Sequence, residues 1–226
     1  MLREFDLDSI TQEGKEMPIT KSIEVIPTDP ELFQRRRLQI ALAALAVFSK
    51  QGFHKTTVRE IARAAGASVG TLYEYFRSKE DILHVACEQN HRELEEELLE
   101  AVSQYAHPLD KLKAGIDQYY RILARQTDTV LLIYREPQSI NKEGRETLMR
   151  REECLRGIFE EILTDAVEQG ISHVADMKLM SHNIISLGHM WGLKRWTLHK
   201  HLELDRFIQL QTEFIVSAIT CQQDGH

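Results

Sequence analysis

TTVREIARAAGASVGTLYEYFRSKEDIL, running from Thr56 to Leu83, is the stretch whose reading decides the fold. Thr57 is a hydroxyl residue able to cap a following helix, and Glu60 three positions later completes a capping box. Val58, Ile61, Ala62 and Ala65 recur at spacings of three and four and so form one apolar stripe. Gly66 then falls where the chain needs a positive φ to leave the helix. Ser68 is placed to cap a second helix, with Leu72 and Phe76 facing inward and Thr71, Glu74 and Tyr75 pointing away. Small Ala62 lets the two helices cross closely. Two short helices folded about a glycine turn and closed by a third make a helix-turn-helix, a unit whose second helix enters the DNA major groove. Tyr73 and Tyr75 beside Gly70 suit that use. Phenol hydroxyls donate to phosphate, and a glycine at a helix N-terminus lets phosphate oxygens approach backbone N–H groups.

Outward from this stretch the charge separates. From Arg35 to Lys79 there are nine Lys or Arg and two acids, whereas the rest of the chain holds 19 bases against 33 acids. The net charge of −7 therefore conceals a basic head on an acidic body, and phosphate neutralisation supplies most of the sequence-independent affinity for DNA. Arg35, Arg36 and Arg37 open the first helix of the head, where Leu38, Ala41, Leu42, Leu45 and Phe48 trace a core stripe ended by Gly52. These arginines are assigned to phosphate. Residues 1–34 read as an N-terminal arm, flexible at its start, without sustained periodicity and with Pro27 and Pro30 ahead of the helix. Its few Lys and Arg argue for a tail rather than a DNA-reaching arm.

Beyond the head, a helix from Lys79 to about Tyr105 carries Leu83, Ala86, Asn90, Leu94, Glu97 and Leu98 at helical intervals. Its acidic run Glu93, Glu95, Glu96, Glu97 and Glu100 reads as a solvated face. Pro108 breaks the chain. Further helices are predicted over about 109–125, 128–136, 142–169, 176–199 and 205–221, the third of these stopped by Gly170. No run of alternating β-branched residues occurs. The expectation is an all-α fold of about nine helices, with a three-helix DNA-binding head in residues 35–80 and a larger helical body in residues 81–226; 226 residues with 42% apolar content suffice for both.

Thr57, Ile61, Ala62, Ala65, Gly66, Ser68, Gly70, Leu72, Tyr73, Tyr75, Phe76, Ser78, Lys79 and Glu80 closely resemble the signature of the TetR/AcrR family of bacterial transcriptional regulators. The match covers Arg35 to Leu83; beyond it only helical pattern and length agree. Ala67 replaces the usual valine of the turn, and Val69 replaces a frequent lysine, which shifts phosphate binding toward Lys79 and the arginines. The resemblance implies DNA contacts from Arg36, Thr57, Ser68, Gly70, Thr71, Tyr73, Tyr75 and Lys79, on a double-stranded palindromic operator bound by a homodimer. It also implies that the last two helices pair with those of a second subunit, and Ile184, Gly188, Trp191, Phe207, Leu210 and Phe214 supply an apolar surface for that. A small-molecule effector in the body is implied as well, with Tyr119, Ile122, Leu132, Tyr134, Phe159, Leu163, Ile185, His189 and Trp196 as candidate lining. Arg121, Arg125, Arg135 and Lys194 near the helix ends suit an apolar or amphipathic ligand with an anionic end. Repression relieved by such an effector is the leading expectation. The alternative is a ligand-independent structural or division-control DNA-binding protein of the same fold.

Other function classes find little support. His182 with His189, and His199 with His201, lack the spacing of a helical metal pair, and no C-x-x-C, G-x-S-x-G or Gly-rich phosphate loop occurs. No catalytic site, metal or cofactor is expected. Cys87, Cys154 and Cys221 are widely separated and read as reduced thiols. The charged N-terminus and the lack of a long uncharged apolar run predict a soluble cytoplasmic protein without membrane partners.

Overall fold

The computed structural model describes residues 29–135 and 142–220, and these form ten helices without a strand. The first, α1, spans Pro30–Gln51. It begins ahead of Arg35 because the Asp29 side chain accepts from the N–H groups of Glu31 at 2.9 Å and Leu32 at 3.2 Å, while Pro30 at the first position has no N–H to satisfy. Gly52, at φ 88°, ends it. Ile40, Ala41, Ala44, Leu45 and Phe48 form its buried face. Leu42, expected in that face, is exposed instead, because a residue one step from Ala41 is turned by about 100°.

The helix-turn-helix follows as α2 (Val58–Ala64) and α3 (Val69–Tyr75). The long helix α4 (Lys79–Ser103) serves both units. Ile82, Leu83, Ala86 and Cys87 pack into the head core, whereas Leu94, Leu98 and Val102 pack into the body core. The body is completed by α5 (Pro108–Arg125), α6 (Thr127–Arg135), α7 (Lys142–Glu168), α8 (Met177–Leu193), α9 (Arg195–Leu198) and α10 (Leu204–Thr220). A single helix was expected over 176–199. The chain instead breaks at Lys194, at φ −108° and ψ 21°, into α8 and α9, which raises nine helices to ten. The arm over residues 1–28, the helix end at Glu136 and Cys221 lie outside the described residues.

Four residues assigned to the subunit interface belong to this chain's own core. Ile184 is buried and its carbonyl accepts from Tyr120 Oη at 2.8 Å. Trp191 packs on Phe207 with ring centroids 5.1 Å apart, and both are buried. Gly188 lies against the Tyr120 ring, where α8 crosses α5. The cause is shared: α8 and α10 turn these residues toward α5, which leaves Leu210 and Phe214 on the outer face, the latter 62% exposed. Leu179, Leu193 and Trp196 are exposed too.

Candidate functional site

The head is built by caps. Thr57 Oγ1 accepts from the Glu60 N–H, and the Glu60 carboxylate accepts in return from the Thr57 N–H at 2.8 Å, so the expected capping box starts α2. The Thr57 N–H, followed by the Thr57 hydroxyl, holds the Glu60 carboxyl below the usual carboxylate range. Gly66 has φ 59°, a conformation that strains any residue with a Cβ. Ser68 Oγ accepts from the Thr71 N–H at 2.9 Å and starts α3. Leu72 and Phe76 are buried beneath, while Ser68, Gly70, Tyr73 and Glu74 are exposed and Thr71 partly so. Tyr75 stacks on Phe33 of α1 at 4.7 Å, which joins the start of α1 to α3.

Three cations assigned to phosphate are engaged within the head. Arg36 donates to the carbonyls of Ala65 and Gly66 at 3.3 and 3.2 Å and so clamps the turn between α2 and α3. Lys79 donates to the carbonyls of Phe53 and Thr56 at 3.0 and 2.9 Å, with its ammonium 4.6 Å from the centre of the Phe53 ring. Arg37 pairs with Asp81 at 3.1 Å and lies over Phe76. These three position the reading helix. The exposed cations Arg35, Lys50, Lys55, Arg59, Arg63 and Arg77 are left to meet solvent.

In the body, four of the predicted effector residues converge. His189 of α8 lies between two phenols, with Tyr119 Oη 3.2 Å from Nε2 and Tyr134 Oη 2.9 Å from Nδ1. Phe159 packs edge-on against Tyr119. Burial first, and then the neighbouring His91, hold His189 at about 4, so its ring is neutral at pH 7 and one phenol donates to it while the other accepts. His91 of α4 is also held at about 4, by burial and then by Arg151, and its buried Nδ1 has no partner among the described residues. Arg151 bridges Glu88 and Glu95 from α7. Burial and then Glu152 push the Tyr134 phenol up.

The other predicted lining residues lie elsewhere or are packed. Ile122, Leu163 and Ile185 are buried in the body core. Trp196 is 71% exposed beneath the Arg195 guanidinium, because the break at Lys194 turns α9 outward. Leu132 belongs to the head core. Two residues apart on α6, Leu132 and Tyr134 point about 200° from one another, so one face of the helix enters the head and the other meets His189. A cavity of about 340 Å³ lies beside this junction, between the end of α1 and α6. Arg121 pairs with Asp117 and Asp205, and Arg125 with Glu97, so neither is directed to the polar cluster.

Residues 40–86 match the family model for bacterial regulatory proteins of the tetR family, and residues 105–196 match that of the tetracyclin repressor-like C-terminal domain. The chain belongs to the tetR family of transcriptional regulators. Among its relatives, the HTH-type transcriptional regulator HbdR of Aromatoleum sp. (strain CIB) is 28% identical over 86% of this chain and 85% of its own. The fatty acid metabolism regulator protein of Bacillus subtilis (strain 168) is 31% identical over 63% of this chain and 74% of its own. A tetR-family regulatory protein from Rhodococcus RHA1 shares the fold at a TM-score of 0.74 and 21% identity, over 84% of this chain and 99% of that one. FadR of Bacillus subtilis, solved in complex with stearoyl-CoA, superposes at a TM-score of 0.65 and 24% identity, over 83% and 98%.

For this tetR-family chain, His91, Arg151 and Glu152 were absent from the expected site. A signal existed for the first of them. His91 stands four after Cys87 and three before Leu94 on the buried stripe of α4, and a histidine on such a stripe needs a polar partner. Of the thiols, Cys87 is buried, which pushes it up to about 12, and Cys154 is exposed. No helix among the described residues is long and apolar enough to cross a membrane, and no group of three metal-binding side chains occurs among them.

Proposed function

We propose that this tetR-family regulator is a repressor that binds a palindromic operator as a homodimer and is released by an apolar or amphipathic effector seated in its body. The observation that carries the reading is α6, which inserts Leu132 into the head core and hydrogen-bonds Tyr134 to the buried His189 of the body. An effector group that takes over a His189 hydrogen bond frees Tyr134, and α6 then shifts the head it is packed into. Release follows only if the effector binds the shifted state more tightly, since equal affinity for both states moves nothing. Two heads bound to half-sites about one DNA turn (~34 Å) apart lose register when either is displaced.

On the DNA, Gly70, Thr71 and Tyr73 of α3 form the reading surface, with Thr57, Ser68 and Tyr75 beside it. Arg36 and Lys79 act on phosphate only through the turn and loop that they hold. The subunit contact falls on Leu210 and Phe214 of α10, which are exposed, as are Leu193 and Trp196; exposed apolar surface of this kind marks interaction sites. A fatty acyl thioester is the favoured effector class. Apolar Phe159 packs against Tyr119 of a polar cluster of two tyrosines and two histidines, and the similar fatty acid regulator of Bacillus subtilis is solved in complex with stearoyl-CoA. The full packing of Ile122, Phe159 and Leu163 favours the second reading, a DNA-binding protein without a ligand.

The test starts by selecting bound DNA from a random pool. Stearoyl-CoA is then titrated against the selected duplex, with release expected at the concentrations at which the protein takes it up. Uptake without release refutes the sensing step. Thr71→Ala is expected to relax base preference and Tyr73→Phe to weaken all sequences alike, and the reverse pattern overturns the assignment of roles.

A further inference from the structure

Residues 1–28 hold six acids, Glu4, Asp6, Asp8, Glu13, Glu16 and Glu24, against three bases, Arg3, Lys15 and Lys21. They precede a head in which nine bases face two acids. The sign is the opposite of what an arm laid on DNA requires, because a chain that follows phosphates gains by neutralising them. The arm joins the head at a telling place. Asp29 caps α1, and four residues later Phe33 stacks on Tyr75 of the reading helix at 4.7 Å. Arg35 is exposed two residues further on, and Arg63 and Arg77 are exposed before and after α3 in the chain. Reach is no obstacle. The 21 residues from Asp8 to Asp29 span up to ~70 Å when extended, against ~10 Å for the length of α3.

We infer that the N-terminal arm is an internal competitor for the DNA-binding face, its carboxylates taking the exposed arginines of the head when DNA is not bound. This rests on the DNA-binding reading above. Covalent attachment presents the carboxylates at an effective concentration that free acidic peptide does not reach. The arm lowers the apparent affinity for operator and non-specific DNA by the same factor, the fraction of heads it leaves free, and so leaves their ratio unchanged. Non-specific DNA, held almost wholly by phosphate contacts, starts from the weaker affinity, and the same factor takes it further below occupancy while operator DNA still displaces the arm.

The test uses a mixed-sequence 30-base-pair duplex, so that no operator need be known. Its affinity is measured by fluorescence anisotropy at several salt concentrations. The proteins are the full chain, a chain lacking residues 1–28, and a full chain with Glu4→Gln, Asp6→Asn, Asp8→Asn, Glu13→Gln, Glu16→Gln and Glu24→Gln. An arm seated nine-tenths of the time lowers apparent affinity about tenfold, so both altered chains are expected to bind up to about tenfold tighter at low salt, with the gap closing as salt rises. Glu93→Gln, Glu96→Gln and Glu100→Gln on the exposed side of α4 serve as the control for overall charge and are expected to change little. Unchanged or weaker binding on truncation overturns the inference, as does an equal gain in the control. If no form binds DNA, the DNA-binding reading is what fails. The seat of the arm is then read from amide NMR shifts between the full and truncated chains, expected at Phe33–Arg36 and Ala67–Tyr75 and vanishing with salt; their absence refutes the arm contact by itself.

Discussion

Replacing Gly188 with alanine tests whether α8 faces its own chain or a second subunit. A Cβ built at this position meets Tyr120 Cε1 at 2.7 Å and Leu123 Cδ1 at 2.8 Å, closer than carbon atoms pack. Neither neighbour can yield easily. Tyr120 is fully buried with its hydroxyl bonded to the Ile184 carbonyl, and Leu123 is buried in the same cluster. Overpacking a filled core costs about 1–3 kcal/mol. Alanine in a helix interior returns about 1 kcal/mol over glycine. With two immobile neighbours the upper part of the cost applies, and the net destabilisation is about 1–2 kcal/mol. Urea unfolding is to be followed at two protein concentrations tenfold apart, because the stability of a dimer depends on concentration whereas a packing defect inside the protomer shifts both curves alike. A lower midpoint of equal size at both concentrations, with an unchanged hydrodynamic radius, is expected. A midpoint that stays or rises refutes the packing argument, and a monomer of undiminished stability returns Gly188 to the subunit interface.

Phe214→Glu, on the outer face of α10, is expected to leave the protomer folded while light scattering at micromolar concentration shows it monomeric; a persistent dimer removes Phe214 from the interface. Arg36→Ala frees the carbonyls of Ala65 and Gly66 and is expected to weaken binding to every duplex and to lower head stability by about 1–2 kcal/mol, measured by thermal unfolding. Tyr134→Phe removes one hydrogen bond to His189 and should cost about 1 kcal/mol or less while shifting the effector concentration for half-release, whereas a variant with both quantities unchanged breaks the proposed link through α6. Acidification acts through His91 and His189. Both are held at about 4, below the ordinary 6.5, so the unfolded chain takes up protons in that window that the folded chain refuses. Stability is full above pH 6.5 and declines as pH falls toward 4, by about 3 kcal/mol for each histidine at most and less than twice that together, since the two repel when charged. A pH titration of urea midpoints, repeated with His189→Gln, checks the slope.

Much of the head was legible because its determinants are local. The capping box of Thr57 and Glu60, the positive φ of Gly66 and the cap at Ser68 each depend on residues within four positions of one another, and each stands as the pattern predicts. The apolar periods of α4, α5 and α7 likewise placed those helices to within a few residues. What an amphipathic period cannot say is which neighbour its stripe meets. Ile184, Gly188, Trp191 and Phe207 are as apolar as an interface requires, and only the crossing of α8 on α5 shows that Tyr120 and Leu123 occupy the place of a second subunit. Arg36 and Lys79 are cations near DNA-reading residues by sequence. Their hydrogen bonds to carbonyls 23 to 30 positions away turn them into supports of the turn and loop. The polar chain from Tyr119 through His189 to Tyr134 joins residues up to 70 positions apart, and Leu132 enters the head core from a helix that sequence assigns to the body. Local backbone chemistry acts over a few residues and is written in order along the chain; burial and long-range hydrogen bonding depend on which surfaces meet, and that is settled only when all the helices pack together.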